Sequence, residues 1–260
     1  MIKIKDHRVD MSRLGNKSFS DKLLNEKLPI PGDRLKMMFE DVALVDALSF
    51  SAITSTVALF LCGLEICQRI QRKGSTEGVD AAPFLLTFIS CTFWTQYGVL
   101  KEDSTIICIN FIGIVIEAAY LYYYYRMTRN RRRLNRILLF EVVLFLGMYG
   151  YTTSAGYELK DRISNLGFVC MLMNIASLGS PLLGLGAVIR NKSTESLPFP
   201  LCVGNMAVSC QWLLYGILVD DIYIKIPNGI GVAMSLVQLS FFVIYPFQKR
   251  ATDLDKQLLL

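Results

Sequence analysis

The sequence has few charged residues and a single histidine. Asp, Glu, Lys and Arg make up 19% of the 260 residues, and 53% are hydrophobic, which is too little charge for an ordinary soluble domain. The histidine, His7, lies far from every long apolar segment, which excludes a histidine-based proton relay inside a membrane. The sequence also lacks a metal-ligand cluster, a paired nucleophile and base, and a phosphate-binding loop. We therefore expect no enzymatic activity, no metal or other cofactor, and no nucleic-acid partner.

No cysteine lies in a loop, where an oxidising compartment could pair it with another. All seven fall within apolar segments, so we expect no disulfide. They are Cys62, Cys67, Cys91, Cys108, Cys170, Cys202 and Cys210.

Long apolar segments are what the sequence does contain. A helix needs about 20 residues to cross a hydrocarbon core of about 30 Å, and seven segments are long enough. They cover about 43–67, 82–100, 104–125, 137–155, 165–189, 199–219 and 224–246. The sequence therefore predicts an all-α integral membrane protein with seven transmembrane helices in a lipid bilayer.

The stretch 72–113 recurs at 190–231 without a gap. With an offset of 118, thirteen of the forty-two positions are identical. Two unrelated apolar segments would share Leu and Ile by chance, but not Trp, Tyr-Gly, Asp and Asn in fixed register, so the chain contains an internal duplication. The identical pairs are Arg72/Arg190, Ser75/Ser193, Thr76/Thr194, Glu77/Glu195, Trp94/Trp212, Tyr97/Tyr215, Gly98/Gly216, Leu100/Leu218, Asp103/Asp221, Ile106/Ile224, Asn110/Asn228, Ile112/Ile230 and Gly113/Gly231.

Each copy of the duplicated unit holds three helices. Because three is odd, two units joined directly would be inverted relative to each other, and a fourth helix between them restores a parallel orientation. The predicted plan is 3+1+3 with a pseudo-two-fold axis along the membrane normal, which places a binding site between the repeats. The predicted segments are a disordered tail at 1–41, the first repeat at 42–126, a basic loop and linker helix at 127–160, the second repeat at 161–247 and a cytosolic tail at 248–260.

Lys and Arg accumulate at alternate ends of the predicted helices. The segments after helices 1, 3, 5 and 7 carry fourteen, and the opposite loops carry four. Because cytoplasmic loops are enriched in Lys and Arg, we expect an extracellular or lumenal N terminus and a cytosolic C terminus. The plasma membrane and the Golgi or another internal membrane remain open. Asp255 with Leu259-Leu260 fits an acidic dileucine sorting signal, and Asn16 fits the glycosylation pattern.

Two tryptophans and two asparagines lie at repeat-equivalent positions within the apolar segments. Trp94 and Trp212 lie about halfway along helices 2 and 6, where lipid offers the indole N–H no partner. Helix packing or an interfacial belt would explain them, and interhelical hydrogen bonds would explain Asn110 and Asn228. Their duplication instead favours one cavity, in which flat rings stack on a sugar and neutral amides bind hydroxyl groups. The predicted ligand is a neutral polyol of about monosaccharide size.

Three prolines mark candidate hinges. Pro83 lies near the start of helix 2, Pro181 lies within helix 5 and Pro198 precedes helix 6. Proline removes a backbone donor and permits bending, so these positions suit an inner gate, with Pro181 the strongest candidate. A simple helix start explains Pro198 equally well.

Glu117 is the one carboxylate predicted to lie deep in the membrane. Asp46 and Glu65 lie near the ends of helix 1, and Glu141 is placed at the start of helix 4. A proton-coupled carrier would need such a buried acid. Since the second repeat has Ser235 at the equivalent position, a symmetric site would not use Glu117.

Several motifs have a recognisable counterpart in a known family. They are Lys192-Ser193-Thr194-Glu195 with Gly74-Ser75-Thr76-Glu77, then Trp212-Leu213-Leu214-Tyr215-Gly216 and Ile226-Pro227-Asn228-Gly229. Together they resemble the SWEET sugar transporters, the saliva-type family with two three-helix repeats, over about residues 48–246.

The resemblance implies roles for individual residues. It implies a substrate pocket at Trp212, Asn110 and Asn228 with Trp94 facing Trp212, a proline tetrad at Gly63, Pro83, Pro181 and Pro198, and an outer gate at Tyr97 and Asp221. Gly63 departs from the family's proline, and because glycine fixes no backbone angle, we expect helix 1 to hinge less sharply. The resemblance also implies homo-oligomers.

The function predicted from the sequence is facilitative, bidirectional transport of mono- or disaccharides by alternating exposure of one central site. The sequence leaves two alternatives open. A proton-coupled amino-acid carrier on a similar scaffold would depend on Glu117, and a peptide-binding receptor without transport activity would have a charged pocket.

Overall fold

The structure is a computed structural model that describes residues 32–177, 179–195 and 197–245. These residues form nine helices and no strand. The helices are α1 (Gly32–Leu61), α2 (Gly63–Lys73), α3 (Ala82–Lys101), α4 (Ser104–Met127), α5 (Arg131–Thr153), α6 (Leu159–Ser177), α7 (Gly179–Asn191), α8 (Phe199–Leu218) and α9 (Ile222–Ile244).

The helices agree with the seven predicted spans. The pair α1–α2 covers the first, α6–α7 covers the fifth, and one helix covers each of the others. Judged by length and composition alone, five stretches of the described chain could cross a membrane: Ala43–Lys73, Ser104–Met127, Arg131–Thr153, Phe199–Leu218 and Ile222–Ile244. Helix α6 carries Lys160, Asp161 and Arg162 at its start, which places it outside that group.

Three helices begin at least six residues earlier than predicted, among them α6, which begins at Leu159. Helix α1 begins at Gly32, so the last ten residues of the predicted disordered tail are helical. Helix α5 begins at Arg131, because the Asn130 side chain accepts a hydrogen bond from the backbone N–H of Arg133 at 3.4 Å and caps the helix. Glu141, predicted at the start of this helix, is therefore well inside it and is buried.

Some sequence predictions fall on residues that the structure does not describe. The segments 1–31 and 246–260 lie outside the described residues. The glycosylation pattern at Asn16, the sorting signal at Asp255 and Leu259-Leu260, and the C-terminal tail therefore remain predictions.

The helix contacts repeat in the two halves of the chain. Helix α3 packs on α4 as α8 packs on α9, and α1 packs on α8 as α6 packs on α3. The contact of α1 with α4 likewise corresponds to that of α6 with α9, whereas α5 packs mainly against α3 and α6. The predicted 3+1+3 plan is thus visible in the packing.

The duplicated Tyr-Gly and Asp residues build a tight turn in each repeat. A Cβ atom at Gly98 would lie 2.9 Å from Ile107, and one at Gly216 would lie 3.0 Å from Ile224, so only glycine lets the next helix approach this closely. The turn residues Glu102 and Asp220 have φ values of 57° and 52°. The residues that follow them, both aspartates, cap α4 and α9.

Candidate functional site

A cavity of about 350 Å³ lies between the two repeats and is lined by all four predicted pocket residues, Trp94, Trp212, Asn110 and Asn228. Most of the other lining side chains are apolar, and the polar ones are neutral hydroxyl, amide or thiol groups. No charged side chain lines the cavity among the described residues. Its volume falls within the range of roughly 300–1,000 Å³ seen for small-molecule sites.

The two asparagines have the same geometry. Asn110 Nδ2 donates to the carbonyl of Ile106 at 2.8 Å, and Asn228 Nδ2 donates to that of Ile224 at 2.8 Å. Each bond joins the amide to its own helix one turn earlier, which fixes its orientation at the cavity. An amide has two N–H groups and an oxygen, so among the described residues this bond leaves one N–H and the oxygen of each amide without a partner.

The two tryptophans are each held by a polar residue from the opposite repeat. Trp94 Nε1 donates to Asn174 Oδ1 at 3.3 Å, and Trp212 Nε1 donates to Thr56 Oγ1 at 2.9 Å. Trp94 is only 6% exposed, which rules out a lipid-facing belt position for it. The indole N–H groups thus find partners inside the protein while their rings line the cavity.

Sequence reasoning missed Thr56 and Asn174. They are themselves repeat-equivalent, since 56 and 174 differ by the same offset of 118, and both line the cavity. The search for identical pairs overlooked them because one is a threonine and the other an asparagine. A comparison of polar positions within the apolar segments would have found them.

Two hydrogen-bonded pairs join the repeats at the 102–103 and 220–221 turns, a side of the protein that we call the acidic face. Tyr97 Oη donates to Asp221 Oδ2 at 2.6 Å, so the structure brings together the two residues of the predicted outer gate. The second pair, Tyr215 Oη and Asp103 Oδ2 at 2.7 Å, was not predicted. Both of its residues belong to the thirteen duplicated positions, so the second pair could have been predicted by applying the repeat offset to Tyr97 and Asp221.

The two pairs differ in charge. Lys101 Nζ lies 3.3 Å from Asp221 Oδ2, whereas the second repeat has Val219 at the position of Lys101. Burial raises the pKa of the Asp103 carboxyl, although hydrogen bonds from the backbone of Ile106 and from Tyr215 act in the opposite direction.

The predicted hinge residues lie toward the opposite face. Pro83 is the second residue of α3, and Pro198 immediately precedes α8, so both are at helix starts, where proline is well tolerated. Gly63 is the first residue of α2, and Pro181 lies in α7. The assignment of these four residues to an inner gate remains a prediction.

Residues 46–132 and 164–250 each match the family model described as "Sugar efflux transporter for intercellular exchange". The two matches are again offset by 118 residues. The chain belongs to this family, the SWEET transporters.

Relatives from two animals support the assignment. "Sugar transporter SWEET1" of Caenorhabditis elegans is 40% identical over 79% of this chain and 67% of its own length. The protein with the same description from Drosophila pseudoobscura pseudoobscura is 40% identical over 77% of this chain and 89% of its own.

A solved structure shares the SWEET fold. "The 3.7 A resolution structure of a eukaryotic SWEET transporter" matches with a TM-score of 0.72 and 28% identity, covering 78% of this chain and 96% of the other. The predicted family and the all-helical, seven-span membrane architecture are therefore confirmed. These relatives are transporters rather than enzymes, in agreement with the prediction of no enzymatic activity.

Glu117 of this SWEET chain is buried, as predicted, at 5% exposure. Its Oε2 atom has no hydrogen-bond partner among the described residues, and it is not among the residues that line the cavity. Ser235, at the equivalent position of the second repeat, is also buried.

Proposed function

We propose that this multi-pass membrane protein is a facilitative, bidirectional sugar transporter that exposes one central site alternately to the two sides of the membrane. The observation that carries this proposal is the neutral cavity between the repeats, lined by two tryptophan rings and two asparagine amides. Flat apolar rings suit the C–H face of a sugar, and the unused amide donors and acceptors suit its hydroxyl groups. The cavity volume of about 350 Å³ fits a mono- or disaccharide.

The closed acidic face supports alternating access. The two Tyr–Asp pairs join the repeats on one side of the cavity, while the cavity extends to Phe60, Thr87 and Ser177 on the other. The described conformation then corresponds to the outer-closed state of the cycle. We place the acidic face outside or in the lumen and the basic loops in the cytosol, because Lys and Arg accumulate on cytoplasmic loops.

The experiment that tests this function is radiolabelled sugar uptake and efflux in proteoliposomes, over a panel of sugars and at two pH values. We expect movement in either direction down the sugar gradient. Absence of flux for every sugar tested would contradict the proposal.

A proton-coupled carrier is the second candidate, because Glu117 is a buried acid without a hydrogen-bond partner among the described residues. Concentrative uptake driven by a proton gradient would favour it. The neutral lining of the cavity disfavours the third candidate, a peptide-binding receptor without transport activity, which would have a charged pocket.

A further inference from the structure

The first transmembrane helix is locally irregular between α1 and α2. The N–H of Cys62 bonds to the carbonyl of Leu59 at 3.0 Å, and the N–H of Glu65 bonds to the carbonyl of Cys62 at 3.1 Å. Both bonds span three residues instead of the four of an α-helix, a tightening that often marks a hinge within a helix.

Tyr120 of α4 occupies the space beside this irregularity. A Cβ atom at Gly63 would lie 2.5 Å from Cε2 of Tyr120 and 3.0 Å from its Cδ2, so any larger residue would collide with the ring. The ring also packs on Phe84 with centroids 5.2 Å apart. Its hydroxyl donates to the backbone carbonyl of Phe60 at 3.2 Å.

Phe60 connects this contact to the cavity. Its side chain lines the cavity, and a Cβ atom at Gly113 would lie 2.9 Å from Cε2 of its ring. A rotation of α1 about Cys62–Gly63 would therefore carry the Phe60 ring with it and change the shape of the cavity.

The two repeats differ at these positions. The second repeat has Pro181 where the first has Gly63, and it has Gln238, which is buried, where the first has Tyr120. A proline ring fixes the backbone angle φ through its own covalent geometry, whereas glycine leaves that angle free. The first repeat thus has a glycine and a neighbouring aromatic ring in place of the proline.

We propose that Tyr120 is a positioning residue for the hinge at Gly63: its ring packs on the glycine, and its hydroxyl holds Phe60 at the cavity in the outer-closed conformation. This inference rests on the proposed transport function. Opening of the outer side requires the Phe60 carbonyl to leave the Tyr120 hydroxyl as α1 rotates over the glycine.

The test measures sugar exchange in proteoliposomes. Gly63→Ala introduces a Cβ atom into the space of the ring, so the maximal exchange rate should fall about ten-fold while KM stays nearly unchanged. Gly63→Ala combined with Tyr120→Leu removes the collision and should recover most of the rate. Gly147→Ala is the matched control, because no atom lies within 4 Å of a Cβ there.

A second readout does not depend on transport. Cys170 is 0% exposed and belongs to the same buried cluster as Tyr97 at the acidic face. Tyr120→Phe removes the bond to Phe60, so labelling of Cys170 by an impermeant thiol reagent from the outer side should rise about five-fold. Peptide mass spectrometry resolves this cysteine from the other six.

The outcomes separate the two proposals. A wild type without exchange of any sugar would contradict the proposed function, and Cys170 labelling in Tyr120→Phe would still test the hinge. If the wild type exchanges sugar and Gly63→Ala is equally fast, or if Tyr120→Leu fails to rescue it, the hinge assignment is overturned. If Gly63→Ala does not reach the membrane, labelling of Tyr120→Phe decides, and unchanged labelling rejects the hinge.

Discussion

Tyr215 donates a hydrogen bond to Asp103 at 2.7 Å, and this bond is the repeat-related counterpart of the 2.6 Å bond between Tyr97 and Asp221. In each pair the tyrosine comes from one repeat and the aspartate from the other. Both aspartates also accept a backbone hydrogen bond at the start of the following helix. The link between the repeats at the acidic face is therefore symmetric, except for Lys101 beside Asp221.

We expect Tyr97→Phe and Tyr215→Phe each to open the acidic face. Each loses one hydrogen bond, worth about 1 kcal/mol net, which corresponds to roughly five-fold faster outer labelling of Cys170. Asp221→Asn should have a larger effect, because it also leaves Lys101 without its ionic partner. Lys225→Gln, which breaks the exposed pair with Asp220, is the control and should change little. Equal labelling in the wild type and both Phe variants would contradict the gate.

Lowering the pH on the outer side should favour the closed state of the acidic face, because the Asp103 carboxyl takes up a proton more readily in that state. Burial in the closed state raises its pKa above the ordinary 3.8, whereas in an open state the hydrated carboxyl would titrate near that value. The closed state therefore binds the proton more tightly, and lowering the pH through the interval between the two pKa values shifts the equilibrium toward it. Cys170 labelling should decrease over that interval, and Asp103→Asn should remove the dependence. Acid-stimulated labelling would contradict this sign.

Asn110→Ala and Asn228→Ala should weaken sugar binding. Each removes partners for hydroxyl groups and leaves sugar groups buried and unpaired, at a combined cost of about 2–4 kcal/mol, so affinity should fall ten-fold or more. Trp212→Ala also removes a stacking face and should abolish measurable transport. Competition binding and uptake at normal surface expression measure these effects. Cys210→Ala, an exposed position on α8, should transport normally, and unchanged affinity in the Asn and Trp variants would refute the pocket.

Thr56→Val and Asn174→Leu should loosen the tryptophan rings without deleting them. Each variant removes the partner of one indole N–H, so KM should rise about five-fold, less than for loss of the ring itself. Thr54→Val is the control, because Thr54 is exposed and its hydroxyl bonds within its own helix to Phe50 at 2.8 Å. A rise in KM for the control as large as for Thr56→Val would argue against this role.

Glu117→Gln should retain sugar flux within a few-fold. The carboxylate is not among the residues that line the cavity, and its equivalent in the second repeat is a serine. We also expect the wild type to show no accumulation when a proton gradient is imposed on proteoliposomes. Loss of flux together with loss of proton-driven uptake in this variant would support the proton-coupled alternative.

The sequence predicted those site residues that recur as the same residue type at the fixed offset between the repeats. Trp94 and Asn110 stood out because polar or aromatic side chains recur at a fixed offset within apolar helices. The start of α5 was misplaced because the apolar run begins several residues after the Asn130 cap. Tyr120 and Gly63 are fifty-seven positions apart in the chain and lie in different helices. No local sequence pattern indicates which side chain fills the space beside a glycine.

The crossed arrangement of the two Tyr–Asp bonds has an evolutionary consequence. In a parallel pair of identical single repeats, one tyrosine and one aspartate per copy would form both bonds, and any substitution would alter both at once. Fusion into one chain frees the halves to diverge, as Lys101 and Val219 have done. The two halves can then acquire different strengths of closure by single substitutions, without any change in the fold they share.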